Sequence, residues 1–92
     1  MANSSISIRL ALSCCNCNYL KHVCNQKPKV LYGRTFRFVW SYISDSADLY
    51  CNEVCVGTIK KGQLSIFPLF VSVVQSESRL RSIMSSFNLF PC

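Results

Sequence analysis

Acidic residues are scarce in this chain, and none lies in its first 44 positions. The four acids, Asp45, Asp48, Glu53 and Glu77, stand against ten lysines and arginines, which gives a net charge of +6. The excess positive charge therefore belongs to the first half of the chain. A basic half attracts nucleic acid or an acidic membrane surface through its long-range field. The simpler interpretation, which we favour, is that the charge serves solubility.

Glycine and histidine are scarce as well. The three glycines, Gly33, Gly57 and Gly62, are scattered, so the sequence contains no glycine-rich phosphate-binding loop. The single histidine, His22, has no acid near it in sequence. Catalysis by an acid–base pair or an activated nucleophile needs such a constellation. We therefore predict a protein that is not an enzyme.

Long apolar runs are missing too. The most apolar stretch, residues 64–74, has eleven residues and contains Pro68, whereas a spanning helix needs about 20. Arg9 interrupts the apolar stretch near the N-terminus, which excludes the core of an ordinary secretory signal and disfavours secretion. An intracellular protein is favoured. Because the N-terminal region is serine-rich and free of acids, residues 1–29 are alternatively an organelle-targeting or weakly ordered segment.

Half of the residues are hydrophobic, which is enough for one packed domain spanning residues 1–92. Residues 35–43 alternate aromatic with β-branched and polar residues, a pattern typical of a strand. Residues 54–67 predict a hairpin, with Gly62 supplying the positive φ of its turn. After this hairpin, Pro68 is expected to place its second strand at a sheet edge.

The remaining segments complete a prediction of fold class. Residues 44–48 are expected to form a turn that caps a short helix running toward Cys51, and residues 69–74 an extended run. Ser76 begins a predicted C-terminal amphipathic helix near 76–88 with an apolar stripe. We predict a small α+β domain with an antiparallel β-core, this helix and a cysteine-rich N-terminal turn.

Cysteine is abundant: the chain has seven, and four of them lie with His22 between Cys14 and Cys24. A spacing of two residues lets a pair of thiolates bind one ion, and a structural zinc site supports a thin core. The predicted zinc ligands are Cys14, Cys17, Cys51 and Cys55, with His22 and Cys24 as substitutes. The alternatives are free thiols packed as small hydrophobic groups and the disulfides of a secreted peptide.

Two short segments resemble known motifs. The pattern C-x-x-C-x-x-x-x-H from Cys14 to His22 resembles the retroviral-type zinc knuckle, although one residue, not four, precedes the next cysteine. Residues 34–41, R-T-F-R-F-V-W-S, resemble part of the octapeptide of the RNA-recognition motif. The second resemblance implies that Phe36 and Phe38 stack on bases and that Arg34 binds phosphate. The alternative is an aromatic core face packed against the C-terminal helix.

The favoured function is that of a small basic interaction protein inside the cell, supported by zinc and non-catalytic, with nucleic acid or another protein as its partner. Four alternatives stand beside it. They are a reading-frame product without evolved function, a secreted disulfide-stapled peptide, an RNA-binding module, and a membrane-surface peptide in which residues 80–90 lie on an anionic surface beside Arg79 and Arg81.

Overall fold

Six antiparallel strands form one curled sheet in the part of the chain that the computed structural model describes, residues 6–11, 16–74 and 76–92. The strand order is β1-β6-β5-β4-β3-β2. The strands are β1 Ser7–Arg9, β2 Lys29–Leu31, β3 Arg34–Ser41, β4 Ser46–Cys51, β5 Val54–Lys60 and β6 Gln63–Ile66. The predicted α+β class with an antiparallel sheet is confirmed at this level.

Short helices accompany the sheet: α1 Cys17–Cys24, a 3₁₀ turn Pro68–Phe70 that leads into α2 Val71–Val74, and α3 Glu77–Ser86. Asn16 caps α1, because its side-chain oxygen accepts the amide of Asn18 at 2.8 Å. The Ser76 hydroxyl accepts the amide of Arg79 at 3.2 Å and caps α3 in the same way.

Strand alternation gives the sheet one buried face and one open face. Phe36 and Phe38 pair with Cys51 and Leu49 across β3 and β4, and all four are buried. Helices α1 and α3 close this core with Leu20, Val23, Leu80, Ile83, Met84 and the following Phe87. The other face carries partly exposed polar residues, such as Ser7 and Ser65, whose hydroxyls lie 3.3 Å apart.

One extra residue bends β5. Leu49 pairs with Gly57 and Tyr50 with Cys55, so Val56 has no counterpart on β4. A bulge of this kind increases the local twist and helps the sheet to curl. Strand β6 comes very close here, because a Cβ on Gly57 would lie 2.6 Å from the Ser65 carbonyl oxygen. Glycine is therefore required at this position by the contact between strands.

The outer edge of β1 is covered by the C-terminal segment. The Ala11 amide donates to the Phe90 carbonyl at 2.9 Å, and the Cys92 amide donates to the Arg9 carbonyl at 2.8 Å. Strand β6 lies inside the sheet, so the prediction that Pro68 places it at an edge is wrong. Pro68 follows the strand and begins the 3₁₀ turn. Because this position lies outside the sheet, the missing N–H of proline breaks no hydrogen bond between strands.

Three other segments differ from the sequence predictions. Residues 17–24 form a helix instead of a turn, because Asn16 caps it. Residues 46–51 form strand β4 instead of a helical turn, with Ala47, Leu49 and Cys51 pointing into the core. Residues 69–74 are helical instead of extended. Strand β3 also ends at Ser41, earlier than predicted, which leaves residues 42–45 in the turn before β4.

Within the described ranges, every helix is too short or too polar to cross a membrane. The predicted membrane-surface stripe on α3 is not available either, because Leu80, Ile83 and Met84 are buried in the core. The stripe packs against the sheet, as most apolar helix stripes do.

Candidate binding cleft at the lysine end

The predicted zinc ligands are dispersed in the described structure. Cys14 lies outside the described residues. Cys17 is exposed at the start of α1, whereas Cys51 is buried. Because Cys55 pairs with Tyr50, it shares the open face of the sheet, and Cys51 points to the opposite face. Residues 6–11, 16–74 and 76–92 contain no group of three or more side chains that could hold a metal ion. The zinc site stays a prediction, which the zinc content of the purified protein tests.

The two substitute ligands also point apart. His22 and Cys24 lie two positions apart on α1, so they occupy different faces of the helix. Burial, together with the negative charge of Asp48, raises the pKa of Cys24 to about 11. The same two causes raise the pKa of Cys55. Burial also raises the pKa of Cys51, although the guanidinium of Arg34 opposes it. These raised pKa values disfavour nucleophilic chemistry at these three thiols, because the thiolate is the reactive form.

The predicted RNA-contacting aromatic residues belong to the core. Phe36 and Phe38 are only 1% and 3% exposed. The Phe38 ring packs edge to face against Phe87, with the ring centroids 4.9 Å apart. Neither ring offers a face to a base in this arrangement, which favours the alternative of an aromatic core face, and stacking on RNA stays a prediction. Arg34 lies beside the Cys51 thiol.

A cleft of about 370 Å³ opens at one end of the sheet, between α1 and two hairpin turns. Its apolar lining comes from Leu20 and Ile59. Its polar lining comes from Cys17 on α1, Ser44 and Asp45 in the β3–β4 turn, and Lys60, Lys61 and Gly62 at the β5–β6 turn. Clefts of this size with an apolar lining and a few polar groups are typical of binding sites.

The β5–β6 turn places two lysines at the rim of the cleft. Lys61 and Gly62 both have positive φ, 53° and 75°, as a two-residue hairpin turn requires. Lys60 and Lys61 are both exposed. No acidic group in the described part of the chain forms a salt bridge with either, since the two pairs present there are Arg37–Glu53 and Arg81–Glu77.

The β3–β4 turn is fixed by serine hydroxyls. The Ser44 Oγ lies 3.0 Å from the Ser41 Oγ and 2.8 Å from the Ser46 Oγ. The turn presents its two apolar residues to solvent: Tyr42 is 79% exposed and Ile43 is 100% exposed. Ile43 therefore contributes nothing to the core and is held away from it by a defined turn.

A third lysine lies against this turn. The Lys21 Nζ is 5.5 Å from the centroid of the Trp40 ring and 5.6 Å from that of Tyr42. The attraction between an ammonium and aromatic rings holds the charge there. We call the region formed by Lys21, Lys60, Lys61 and residues 42–45 the lysine end.

No family model, curated protein or solved structure matches the chain. The lysine end combines a cleft with exposed cations, which makes it a candidate binding site. The sequence patterns had not singled it out, because its lysines and apolar residues come from three separate segments. The signals that could have found it were the K-K-G turn and the polar break that begins at Ser44.

Proposed function

We propose that this protein is a small, basic, non-catalytic binding protein that holds an acidic partner at its lysine end. One observation carries the proposal. Lys60 and Lys61 line a cleft with an apolar interior, Lys21 lies beside the adjoining turn, and Asp45 is the acidic residue of the cleft lining. Two lysines against one carboxylate leave the cleft with a net positive charge, which attracts an anionic ligand.

The charges elsewhere support this assignment. Arg37 pairs with Glu53 at 2.8 Å, and Arg81 pairs with Glu77 at 3.2 Å. Lys29 and Arg79 lie over the rings of Phe87 and Tyr32. These cations have partners within the fold, whereas Lys60 and Lys61 have no salt-bridge partner among the described residues. The lysine end therefore carries positive charge that no salt bridge of the described residues compensates.

The state of the cysteines bears on two further parts of the proposal, the intracellular compartment and the absence of catalysis. The five cysteines of the described ranges are free, which favours a reducing, intracellular compartment. The raised pKa values of Cys24, Cys51 and Cys55 disfavour covalent catalysis by these three thiols, because the thiolate is the reactive form. The zinc support predicted from the sequence is a separate part of the proposal and has a test of its own.

Binding to three anionic probes tests the proposal: a short single-stranded RNA, an acidic peptide, and vesicles that contain phosphatidylserine. We expect at least one probe to bind at about 0.05 M salt and to bind more weakly at about 0.3 M salt, because salt screens exposed charges. The Lys60→Gln/Lys61→Gln variant should bind more weakly than the wild type. The Lys27→Gln/Arg81→Gln variant is the control, because it removes the same charge elsewhere.

Two results would count against the proposal. If none of the three probes shows salt-dependent binding, the lysine end does not hold an acidic partner. If both double variants lose binding equally, net charge is responsible and the lysine end has no special role.

A further inference from the structure

We infer that the acidic partner is an anionic lipid surface, into which the β3–β4 turn inserts Tyr42 and Ile43. This inference rests on the proposed function, because it names the partner of the same lysine end. It is distinct from the predicted contact through α3, whose apolar stripe is buried.

The apolar tip of the turn is the first reason. Ile43 is fully exposed and Tyr42 nearly so, and they are neighbours at the end of a hairpin. The Ser44 hydroxyl, bonded at 3.0 Å and 2.8 Å to the hydroxyls on both sides of the turn, fixes this arrangement. Trp40 lies next to the tip, with its ring centroid 6.3 Å from that of Tyr42. Tryptophan and tyrosine are the residues that favour the boundary between water and lipid.

The position of the lysines around this tip is the second reason. Lys21 touches the Tyr42 ring. Lys60 and Lys61 lie across the cleft from Ser44 and Asp45, which directly follow Ile43. Membrane binding commonly combines two contributions. An apolar group enters the bilayer, and cations around it attract the acidic headgroups. The charge of the lysine end is therefore complementary to that of an anionic lipid surface.

The choice of lipid over a soluble polyanion depends on Ile43. RNA or an acidic peptide can neutralise Lys60 and Lys61, but that contact by itself leaves Ile43 in water. A lipid surface neutralises the two lysines with its headgroups and buries Ile43 in its apolar layer at the same time. Leu69 provides a comparison within the chain, since it is 79% exposed but lies in a segment, residues 62–78, that contains no lysine or arginine.

Vesicle flotation tests the inference, with Trp40 as the reporter because it is the single tryptophan of the chain. We expect the protein to float with vesicles that contain phosphatidylserine and not with pure phosphatidylcholine vesicles. On binding, the Trp40 emission should be quenched by brominated lipid chains. Ile43→Ser should weaken the partition at least about tenfold, because a large apolar side chain no longer enters the bilayer.

The lysine variants and a matched control complete the design. Lys60→Gln/Lys61→Gln should weaken partition on the order of 25-fold, because each lysine near an anionic surface contributes separately to the free energy of membrane binding. Leu69→Ser should partition like the wild type. Far-ultraviolet circular dichroism and urea midpoints check that each variant is folded, which we expect because the changed side chains are exposed.

The outcomes separate this inference from the proposed function. Salt-dependent binding to RNA or to the acidic peptide, without binding to phosphatidylserine vesicles, overturns the lipid inference and leaves the proposed function standing. Absence of binding to all three probes overturns both. Vesicle binding that Ile43→Ser leaves unchanged, or that Leu69→Ser weakens equally, overturns the insertion of the β3–β4 turn.

Discussion

The Phe38 ring meets the Phe87 ring at 90°, with 4.9 Å between the two centroids. This contact joins strand β3 to the end of helix α3, so it connects the sheet to the layer that covers it. Edge-to-face pairs of aromatic rings contribute roughly 0.5–1.5 kcal/mol beyond the area that they bury. Lys29 adds to the same contact, with its Nζ 5.5 Å from the Phe87 centroid.

Phe38→Ala should lower the free energy of unfolding by about 3–5 kcal/mol, because it leaves a cavity in the core. Tyr42→Ala, which changes an exposed aromatic residue, should lower it by less than about 0.5 kcal/mol. Urea denaturation followed by circular dichroism measures both values. A Phe38→Ala variant that keeps its stability but loses RNA binding would instead support a role in base stacking.

Two glycines should respond differently to alanine. At Gly57 the new Cβ would lie 2.6 Å from the Ser65 carbonyl oxygen and 2.8 Å from the Ile66 Cδ1, so Gly57→Ala forces β5 and β6 apart. We expect a loss of about 3 kcal/mol or more, as in overpacked cores. Gly33→Ala meets no atom within 4 Å but keeps a φ of +75°, which costs about 1–2 kcal/mol. Equal urea midpoints for the two variants would contradict the close approach at Gly57.

Cys24 should react slowly with alkylating reagents. Burial and the Asp48 carboxylate raise its pKa to about 11, so at pH 8 its thiolate fraction is on the order of 100-fold below that of an ordinary thiol. Mass spectrometry after brief iodoacetamide treatment should find the exposed Cys17 and Cys92 modified well before Cys24. Modification of all three at one rate would show that Cys24 is not held neutral.

The same raised pKa predicts how stability depends on pH. Because folding favours the neutral thiol of Cys24, its contribution to stability is complete below pH 9.0 and is lost as the pH rises toward about 11. The urea midpoint should therefore fall over this interval. Cys24→Ala should show a smaller fall than the wild type over the same interval. Parallel curves for the two proteins would assign the fall to other groups.

Ser76→Ala should destabilise the domain by about 1 kcal/mol, because it removes the side chain that accepts the Arg79 amide at 3.2 Å. Ser78→Ala is a matched control two positions away, since Ser78 is exposed on the same helix and caps nothing. Thermal or urea unfolding compares them. Similar stability of the two variants would mean that the Ser76 cap contributes nothing measurable.

Local turn chemistry was the most informative part of the sequence. The K-K-G-Q segment predicted a hairpin, and Lys61 and Gly62 adopt the positive φ values of its turn. Asn16 was misinterpreted because asparagine serves both turns and helix caps. Residues 69–74 were predicted to be extended because a short apolar run does not distinguish a strand from a helix by its period. The number of strands also exceeded the prediction, since a three-residue strand such as Lys29–Leu31 gives little pattern.

The candidate site was harder to predict than the fold. Aromatic residues at 36, 38, 40 and 42 looked alike in the sequence, and their alternation placed all four on one strand face. The structure separates them: Phe36 and Phe38 are buried, whereas Tyr42 lies beyond the end of β3. The distance in sequence between Lys21, Tyr42 and Lys60 also concealed their grouping, because only the curl of the sheet and the position of α1 bring them to one end.

The pairing of residues 9–11 with residues 90–92 affects how this protein is made. Strand β1 is synthesised first among the strands, yet its partners Gln63 and Pro91 come much later. Ile8 and Leu10 are both buried in the folded protein. They are therefore exposed to solvent while the nascent chain grows. Contacts between distant segments form slowly, and exposed apolar strands bind chaperones or aggregate. Strand β1 can pair once β6 has been made, but the bridge between Leu10 and Pro91 forms only after Pro91 has left the ribosome.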